Sequence, residues 1–545
     1  MTGTPRETVR SAGTIGFATL ISRILGFVRD ALVARLFGTS APAQAFAVAF
    51  RFPNILRDLV GEGAANAAFV PVLTEHRWLR QKEAGPSHRD FLRSRPAGQH
   101  RQEQEFWTVV GVLFNVMAVV LAVLTFLGWW AAPGIVRVTA PGFLDDPEKF
   151  ALTIRLTRWL FPYLWLIGLT ALAGGVLNTL RHFTAPAYGP CLLNVAMIAS
   201  TLVAPRFPEP VVVLAIGVLI GGILQLGAQV VVLVRKGWSP GWPWRFTHPV
   251  VPKTLRLLGP RALGSCVYQI NLLVDTICGS LESIVGRGAV AALYYANRLF
   301  QFPLAIVGTA LVQASLPLLS SQALDATPAR LKQSIATLLK LTLFLAIPST
   351  VGLVVLGRAI VAVLFQRGQF TAYSTGITTQ ALVWYSVGLC AYMGVKVLTN
   401  TCYAMQDTRT PVRTAIVALI VNVVLNLLLM APMGVGGLAL ATSIASACNF
   451  VLLWRSLRRR LGPMDGTEVW RAAQRVLVAA AIMGLVVAGG QWAGRAWLFG
   501  SSTLAGGAVL LGLIALSIGV FGLACHWLGV EELRHLPLPW ISATK

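Results

Sequence analysis

The sequence predicts an all-α polytopic membrane protein of fourteen transmembrane helices, arranged as two six-helix lobes around a central cavity plus two C-terminal helices. Three observations carry that expectation. Of 545 residues, 55% are hydrophobic and only 12% charged, too few to cover the outside of a soluble chain of this length. Mean hydropathy is +0.68. Apolar runs long enough to cross a hydrocarbon core of about 30 Å, which takes roughly 20 residues per helix, recur from one end to the other.

The spans fall near 12–36, 43–74, 106–131, 152–178, 186–204, 210–234 and 260–284, then 288–320, 332–356, 374–404, 411–430, 434–456, 471–494 and 502–528. The second and eighth are too long for simple crossings, and each holds a proline (Pro53, Pro303) that predicts a kinked or broken helix. The segment before the first span has no small-residue cleavage site and reads as retained helix. The expected divisions are an N-terminal lobe over 1–235 with a loop at 76–105, a second lobe over 236–460, and two helices with a tail over 461–545.

Charge orients these spans. Arg77, Arg80, Lys82, Arg89, Arg93, Arg95 and Arg101 sit in one loop; Lys236, Arg245, Lys253 and Arg256 in another; Arg455, Arg458, Arg459 and Arg460 follow the twelfth span. The alternate loops are poor in basic residues or, around Asp145, Asp146 and Glu148, acidic. The positive-inside rule then places both termini in the cytoplasm. It also accounts for the net charge of +24 without nucleic acid as a partner. The seven cysteines include no C-x-x-C pair, so neither a disulfide framework nor a zinc site is indicated. No G-x-x-x-x-G-K-[ST] occurs, so the chain brings no P-loop of its own.

An internal repeat links the halves. "AVAFRFPNILRDLVGEGAANAAFVPVL" in the second span pairs with "YYANRLFQFPLAIVGTALVQASLPLL" in the eighth, and "VLNTLRHFTAP" pairs with "LTNTCYAMQDTRTP". Transporters are commonly built from such repeats.

Ionisable residues at membrane depth carry the functional signal, because each arginine at a helix centre costs roughly 2.5–3.5 kcal/mol. "TLISRILGFVRDALVARLF" holds Arg23, Arg29 and Asp30. At 100° per residue Arg23 and Asp30 project nearly the same way, with Arg29 about 120° round. The charges are therefore expected to line a broad polar face, notched at Gly26, rather than to pair within the helix. The second span adds Arg51, Arg57, Asp58 and Glu62, and the eighth adds Arg298. Arg35 and Arg51 can snorkel to an interface; Arg23, Arg29 and Arg298 lie too deep for that to explain them. Guanidinium groups suit phosphate oxygens, so the ligand implied is anionic. Asp275, Asn422, Asn426 and Thr442 in the seventh, eleventh and twelfth spans carry two readings, coordination of a hard cation such as sodium or interhelical hydrogen bonding. The residues alone favour the second.

"TLISRILGFVRDALVARLFGTSAPAQAFAVAFRFPNILRDLVGEGAANAAFVPVL", "YYANRLFQFPLAIVGTALVQASLPLLS" and "DTRTP" resemble the MurJ (MviN) lipid II flippase family, of the multidrug/oligosaccharidyl-lipid/polysaccharide exporter superfamily, from about residue 10 to about 530. The resemblance implies a transporter rather than an enzyme, without cofactor unless a sodium ion. It would flip lipid II from the cytoplasmic to the periplasmic leaflet of the bacterial inner membrane by alternating access, driven by membrane potential. Its partners would be lipid II, membrane lipids and the cell-wall synthesis machinery, with the chain itself a monomer. It carries the substrate role to Arg23, Arg29, Arg57 and Arg298 with Asp30 beside them, and a sodium site to Asp275, Asn422, Asn426 and Thr442. The last two helices would form a groove for the polyprenyl tail. Departures are Gln44, Asn297, Gln301 and Asn426, where the family has acids, and a segment at 85–105 longer than its loop, expected to be disordered. The rival readings are a cation-coupled exporter of drugs or of another polyprenyl-linked saccharide, a membrane enzyme acting on polyprenyl diphosphates, and a scaffold. The chain lacks the acidic or aromatic cavity that a drug exporter would carry and the metal-binding acid cluster or paired histidines of such an enzyme, and a scaffold would not need the arginines that it places at membrane depth.

Overall fold

The computed structural model describes residues 5–57, 97–239, 241, 249, 251–252, 269–304, 310–325, 327–464, 466–500 and 503–532. The described chain is helical, with no strand among those residues. Its contacts divide it into two compact units, 1–36 with 41–273, and 37–40 with 274–545. The division thus falls after Leu273 rather than at 235, and the last two helices cluster with the second unit.

The first unit contains α1 (Pro5–Phe37), α2 (Ala41–Arg57), α3 (Ala97–Trp130), α4 (Ala132–Thr139), α5 (Pro147–Leu160), α6 (Pro162–Thr179), α7 (Thr184–Val203) and α8 (Pro210–Arg235). Its start at Ala97 corrects the expectation of disorder over 85–105: residues 97–105 are the first turns of α3, where "AGQHRQEQE" supplies good helix formers that prolong the apolar run that follows. The remainder, 85–96, lies outside the described residues. α5 and α6 together make one 33-residue crossing, interrupted at Phe161 because Pro162 brings no N–H to the ladder. Small residues set the helix spacing. A Cβ on Gly217 would fall 2.1 Å from Ser200 Oγ, and one on Gly221 would fall 2.7 Å from Leu193, so α7 and α8 approach with almost no side chain between them. Leu113, Leu121, Leu172, Val176 and Leu233 form the apolar core behind them.

The boundary falls within α9 (269–280). The second unit contains the rest of α9, then α10 (Glu282–Val285), α11 (Ala289–Pro303), α12 (Ala310–Gln322), α13 (Ala329–Phe365), α14 (Ala372–Val387), α15 (Leu389–Ala404), α16 (Arg409–Met433), α17 (Val435–Leu461), α18 (Gly466–Ala493), α19 (Arg495–Leu498) and α20 (Thr503–Trp527). Within the eighth expected span α11 runs to Pro303 and α12 begins at Ala310; 305–309 between them lie outside the described residues. Pro53 sits within α2, and Pro303 within the last turn of α11. α18 and α20 pack on α13 through Phe344, Met483, Leu513 and Phe521, and Lys340 Nζ reaches Glu468 Oε2 at 2.8 Å.

Among the described residues nine helices are long and apolar enough to cross a membrane, or ten if α14 and α15, bent by 45°, form one crossing. The chain is therefore a multi-pass membrane protein. Much of the second and seventh expected spans lies outside the described residues.

The repeat has a backbone signature. Arg181 and Gln406 have φ 58, and no other described non-glycine residue has a positive φ. Each ends a helix in the same way. His182 N–H donates to the Leu177 carbonyl at 2.8 Å, and Asp407 N–H donates to that of Cys402 at 2.8 Å. This is the six-to-one bond of a left-handed helix cap. "LRHFTAP" and "AMQDTRTP" thus fold into one corner, once in each unit.

Candidate functional site

Two buried polar centres stand out, one in each unit. In the first unit, Arg29 and Asp30 are 7% and 4% exposed. Arg29 Nε and Nη2 donate to Asp30 Oδ1 at 3.0 and 2.7 Å. The expectation that these charges would not pair within the helix is therefore wrong. The angle between Cβ directions suggested separation, but an arginine has reach to fold back on its neighbour. Burial of both groups makes that contact far better than leaving either charge alone. The remaining donor, Nη1, goes to Asn194 Oδ1 on α7 at 3.0 Å. Asn194 Nδ2 in turn donates to the Ser22 carbonyl at 3.0 Å. The notch at Gly26 is where α7 fits: a Cβ there would lie 3.6 Å from Asn194 Nδ2. Sequence reasoning missed Asn194. The available signal was an amide in the middle of the apolar run 186–204.

Arg23 is exposed. Arg57 closes α2, and its side chain lies outside the described residues. In the second unit Arg298 is exposed on α11, its Cζ 5.1 Å from the Tyr294 ring centre and its Nη2 donating to Tyr294 Oη at 3.3 Å. Gln301 Nε2 donates to Asn297 Oδ1 at 3.3 Å, so the amides flanking Arg298 bond each other across one helical turn, where two acids would repel.

The second centre brings together all four residues singled out for a cation. Asn426 Nδ2 donates to Asp275 Oδ1 at 2.9 Å and to Asn422 Oδ1 at 3.0 Å. Thr442 Oγ1 donates to Asp275 Oδ2 at 3.2 Å and accepts from Asn422 Nδ2 at 3.1 Å. None is more than 4% exposed. Asn426 Oδ1 is buried without a hydrogen-bond partner, an oxygen whose isolation costs about 1–3 kcal/mol. One carboxylate, two amide oxygens and a hydroxyl, with one acceptor unspent, fit a monovalent hard cation better than a transition metal. No group of three or more His, Cys, Asp or Glu side chains suited to a metal occurs among the described residues.

Outside the membrane-spanning helices, the second-unit corner is fixed by charge. Asp407 Oδ1 accepts from the Arg409 and Thr410 amides at 3.0 Å each, and Oδ2 meets Arg460 Nη1 at 2.6 Å. Burial works to raise this carboxyl, but the bonds from Thr410 and Arg409 and the Arg460 charge together hold it below its ordinary value.

Comparison with known proteins agrees with this architecture. The family model described as "Lipid II flippase MurJ" matches residues 33–506. The chain is 38% identical over 517 residues to a probable lipid II flippase MurJ of Rhizobium tropici, covering 92% of this chain and 91% of that one. It is 36% identical over 479 residues to a lipid II flippase MurJ of Burkholderia cenocepacia, covering 87% and 88%. A solved lipid II flippase MurJ in an inward closed conformation superposes with a TM-score of 0.75 at 26% identity, over 94% of this chain and 97% of that one. A multidrug resistance MATE family transporter of the MOP superfamily, in an inward-facing conformation, shares the fold, with a TM-score of 0.64 at 15% identity over 81% of this chain and 94% of that one. With the family model matching residues 33–506 and relatives matching along most of both chains, the chain belongs to the lipid II flippase MurJ family, whose members are membrane transporters and not enzymes.

Proposed function

We propose that the chain flips lipid II from the cytoplasmic to the periplasmic leaflet of the bacterial inner membrane, by alternating access and with both termini cytoplasmic. Family membership along nearly the whole chain carries this reading. Arginines in the expected first, second and eighth spans support its chemistry. Arg23, Arg29, Arg57 and Arg298 gather the diphosphate and sugar head group in a shared cavity, because guanidinium stays charged and binds phosphate oxygens in a bidentate fashion. Asp30 holds Arg29 until a diphosphate competes for it, so the buried cation is never left alone. Neutralised by the ligand, the arginines cease to repel each other, and closure on the cytoplasmic side becomes favourable.

A sodium ion on Asp275, Asn422, Asn426 and Thr442 is the proposed coupling device. Its charge would satisfy the buried carboxylate and the unspent Asn426 oxygen together. Membrane potential supplies about 2.3 kcal/mol per charge for each 100 mV, enough to bias the return step. The test is depletion of the protein in cells, followed by a leaflet-specific assay of the lipid-linked precursor. The precursor is expected to accumulate in the inner leaflet; arrival outside at the normal rate would sink the reading. Arg298→Ala in correctly inserted protein is expected to abolish growth support.

A further inference from the structure

The surface of the first unit carries an apolar groove apart from the polar centre at Arg29 and Asp30. It measures about 460 Å³ and is lined by Thr125, Phe126 and Trp129 of α3, Trp165 of α6, and Leu219 and Ile223 of α8. The fold builds it. α3 and the α5–α6 interruption are pressed together, since a Cβ on Gly128 would fall 1.9 Å from the Phe161 ring. The Trp165 indole is spent on the Ala118 carbonyl at 2.9 Å, so an aromatic surface remains for the groove. Phe126 and Ile223 are 65% and 58% exposed.

Two buried polar atoms here lack hydrogen-bond partners: Thr125 Oγ1 in the groove lining, and Nε of Arg158, which lies over the lining Trp129. Arg158 lies one turn before Pro162, another lining residue, and its Cζ stands 5.0 Å from the Trp129 ring centre. The neighbouring Arg155 has an acid, Glu209, at 2.8 Å; among the described residues Arg158 has none. A half-buried guanidinium without an anion at the lip of an apolar groove is costly in a membrane.

The vertical order of these groups is that of a phospholipid. Trp129 is the penultimate residue of α3, the level at which tryptophan marks the membrane interface. Thr125 is one turn, about 6 Å, deeper, and Phe126, Leu219 and Ile223 complete an apolar wall. Inorganic phosphate would meet the charge and leave the groove empty. A zwitterionic lipid would fill the groove and bring its own cation to Arg158. We propose that this groove is a binding site for an anionic phospholipid. The lipid phosphate takes Arg158, an ester carbonyl accepts the Thr125 O–H, and an acyl chain lies along Phe126, Leu219 and Ile223. In the orientation given above this is the periplasmic leaflet, but the binding does not depend on the transport reading.

Native mass spectrometry of the detergent-purified full chain tests it, with titration of phosphatidylglycerol, phosphatidylcholine of the same acyl chains, or inorganic phosphate. The first phosphatidylglycerol should bind at least fivefold tighter than phosphatidylcholine. Arg158→Gln should bring that ratio to near one. Ala122→Phe, at an exposed lining position, should weaken both lipids at least threefold with Arg158 intact, and it serves if the arginine variant fails to fold. Equal binding of the two lipids by the unaltered chain, an unchanged ratio in Arg158→Gln, undiminished binding in Ala122→Phe, or displacement of phosphatidylglycerol by phosphate alone would each overturn the proposal.

Discussion

The two units solve the problem of a buried carboxylate in opposite ways. Asp30 has a covalent neighbour of opposite sign, and Arg29 closes on it with two hydrogen bonds. Asp275 is surrounded by the neutral Asn422, Asn426 and Thr442, none of which cancels its charge. The first arrangement is a charge-neutral pair within one helix. The second holds a carboxylate beside an amide oxygen with no partner and is the place where we propose that a cation binds. Removing one member of a buried ion pair leaves an uncompensated charge, whereas Asn in place of Asp275 would keep most of the amide and hydroxyl network while removing a buried charge.

That contrast can be broken by mutation. The largest effect is expected from Asp30→Ala, which strands the Arg29 guanidinium with only neutral acceptors among the described residues, Asn194 Oδ1 and the Met197 sulfur. It should cost about 3–5 kcal/mol, read as a drop in the thermal midpoint of purified protein. Arg29→Met added to Asp30→Ala should recover most of that loss; strict additivity would show that the pair is not coupled.

Asp275→Asn should behave otherwise, with little loss in sodium-free buffer. Sodium should stabilise the unaltered chain by about 2.7 kcal/mol at one hundred times its dissociation constant, and the variant not at all. A thermal midpoint indifferent to sodium in both would reduce the quartet to interhelical hydrogen bonds.

The paired corners sharpen the comparison at smaller scale. His182 and Asp407 occupy equivalent places after the left-handed residue. Burial, then the Lys236 charge, lowers the His182 pKa from 6.5, while Asp407 lies below 3.8. Both groups have depressed values in the folded chain, so each contributes stability at high pH that is lost as pH falls. His182 should respond first, below pH 6.5, and Asp407 only below pH 3.8. His182→Asn should flatten the upper phase of thermal midpoint against pH and Asp407→Asn the lower one, with a loss near neutral pH of about 1–2 kcal/mol for Asp407→Asn.

The smallest effect is expected from Arg181→Gly and Gln406→Gly. A left-handed backbone costs a side chain about 1–2 kcal/mol, and glycine gives back roughly 0.5–1 kcal/mol in unfolded entropy. A net gain of about 0.5 kcal/mol in each unit would confirm that the corners are equivalent in energy as well as in shape.

Much of this was legible beforehand. Hydropathy placed the crossings because a helix in lipid must satisfy its own backbone. Asn422 and Asn426, one turn apart, and the match of "LRHFTAP" with "AMQDTRTP" pointed to real structure. Three things escaped the reading. Pairing of Arg29 with Asp30 depends on the reach of a flexible side chain, which helical angles do not report. Asn194 lies 165 residues from Arg29, and no local pattern ties them. The turns at 97–105 were polar enough to read as loop, yet they continue the helix of α3.

By itself the sequence determined the solvent, the helical class and the residue types at depth, since period, length and charge are properties of one helix against lipid. Tertiary structure alone decided which buried charge is already neutralised and which has an oxygen to spare, because the energy of a buried charge depends on partners brought from other helices.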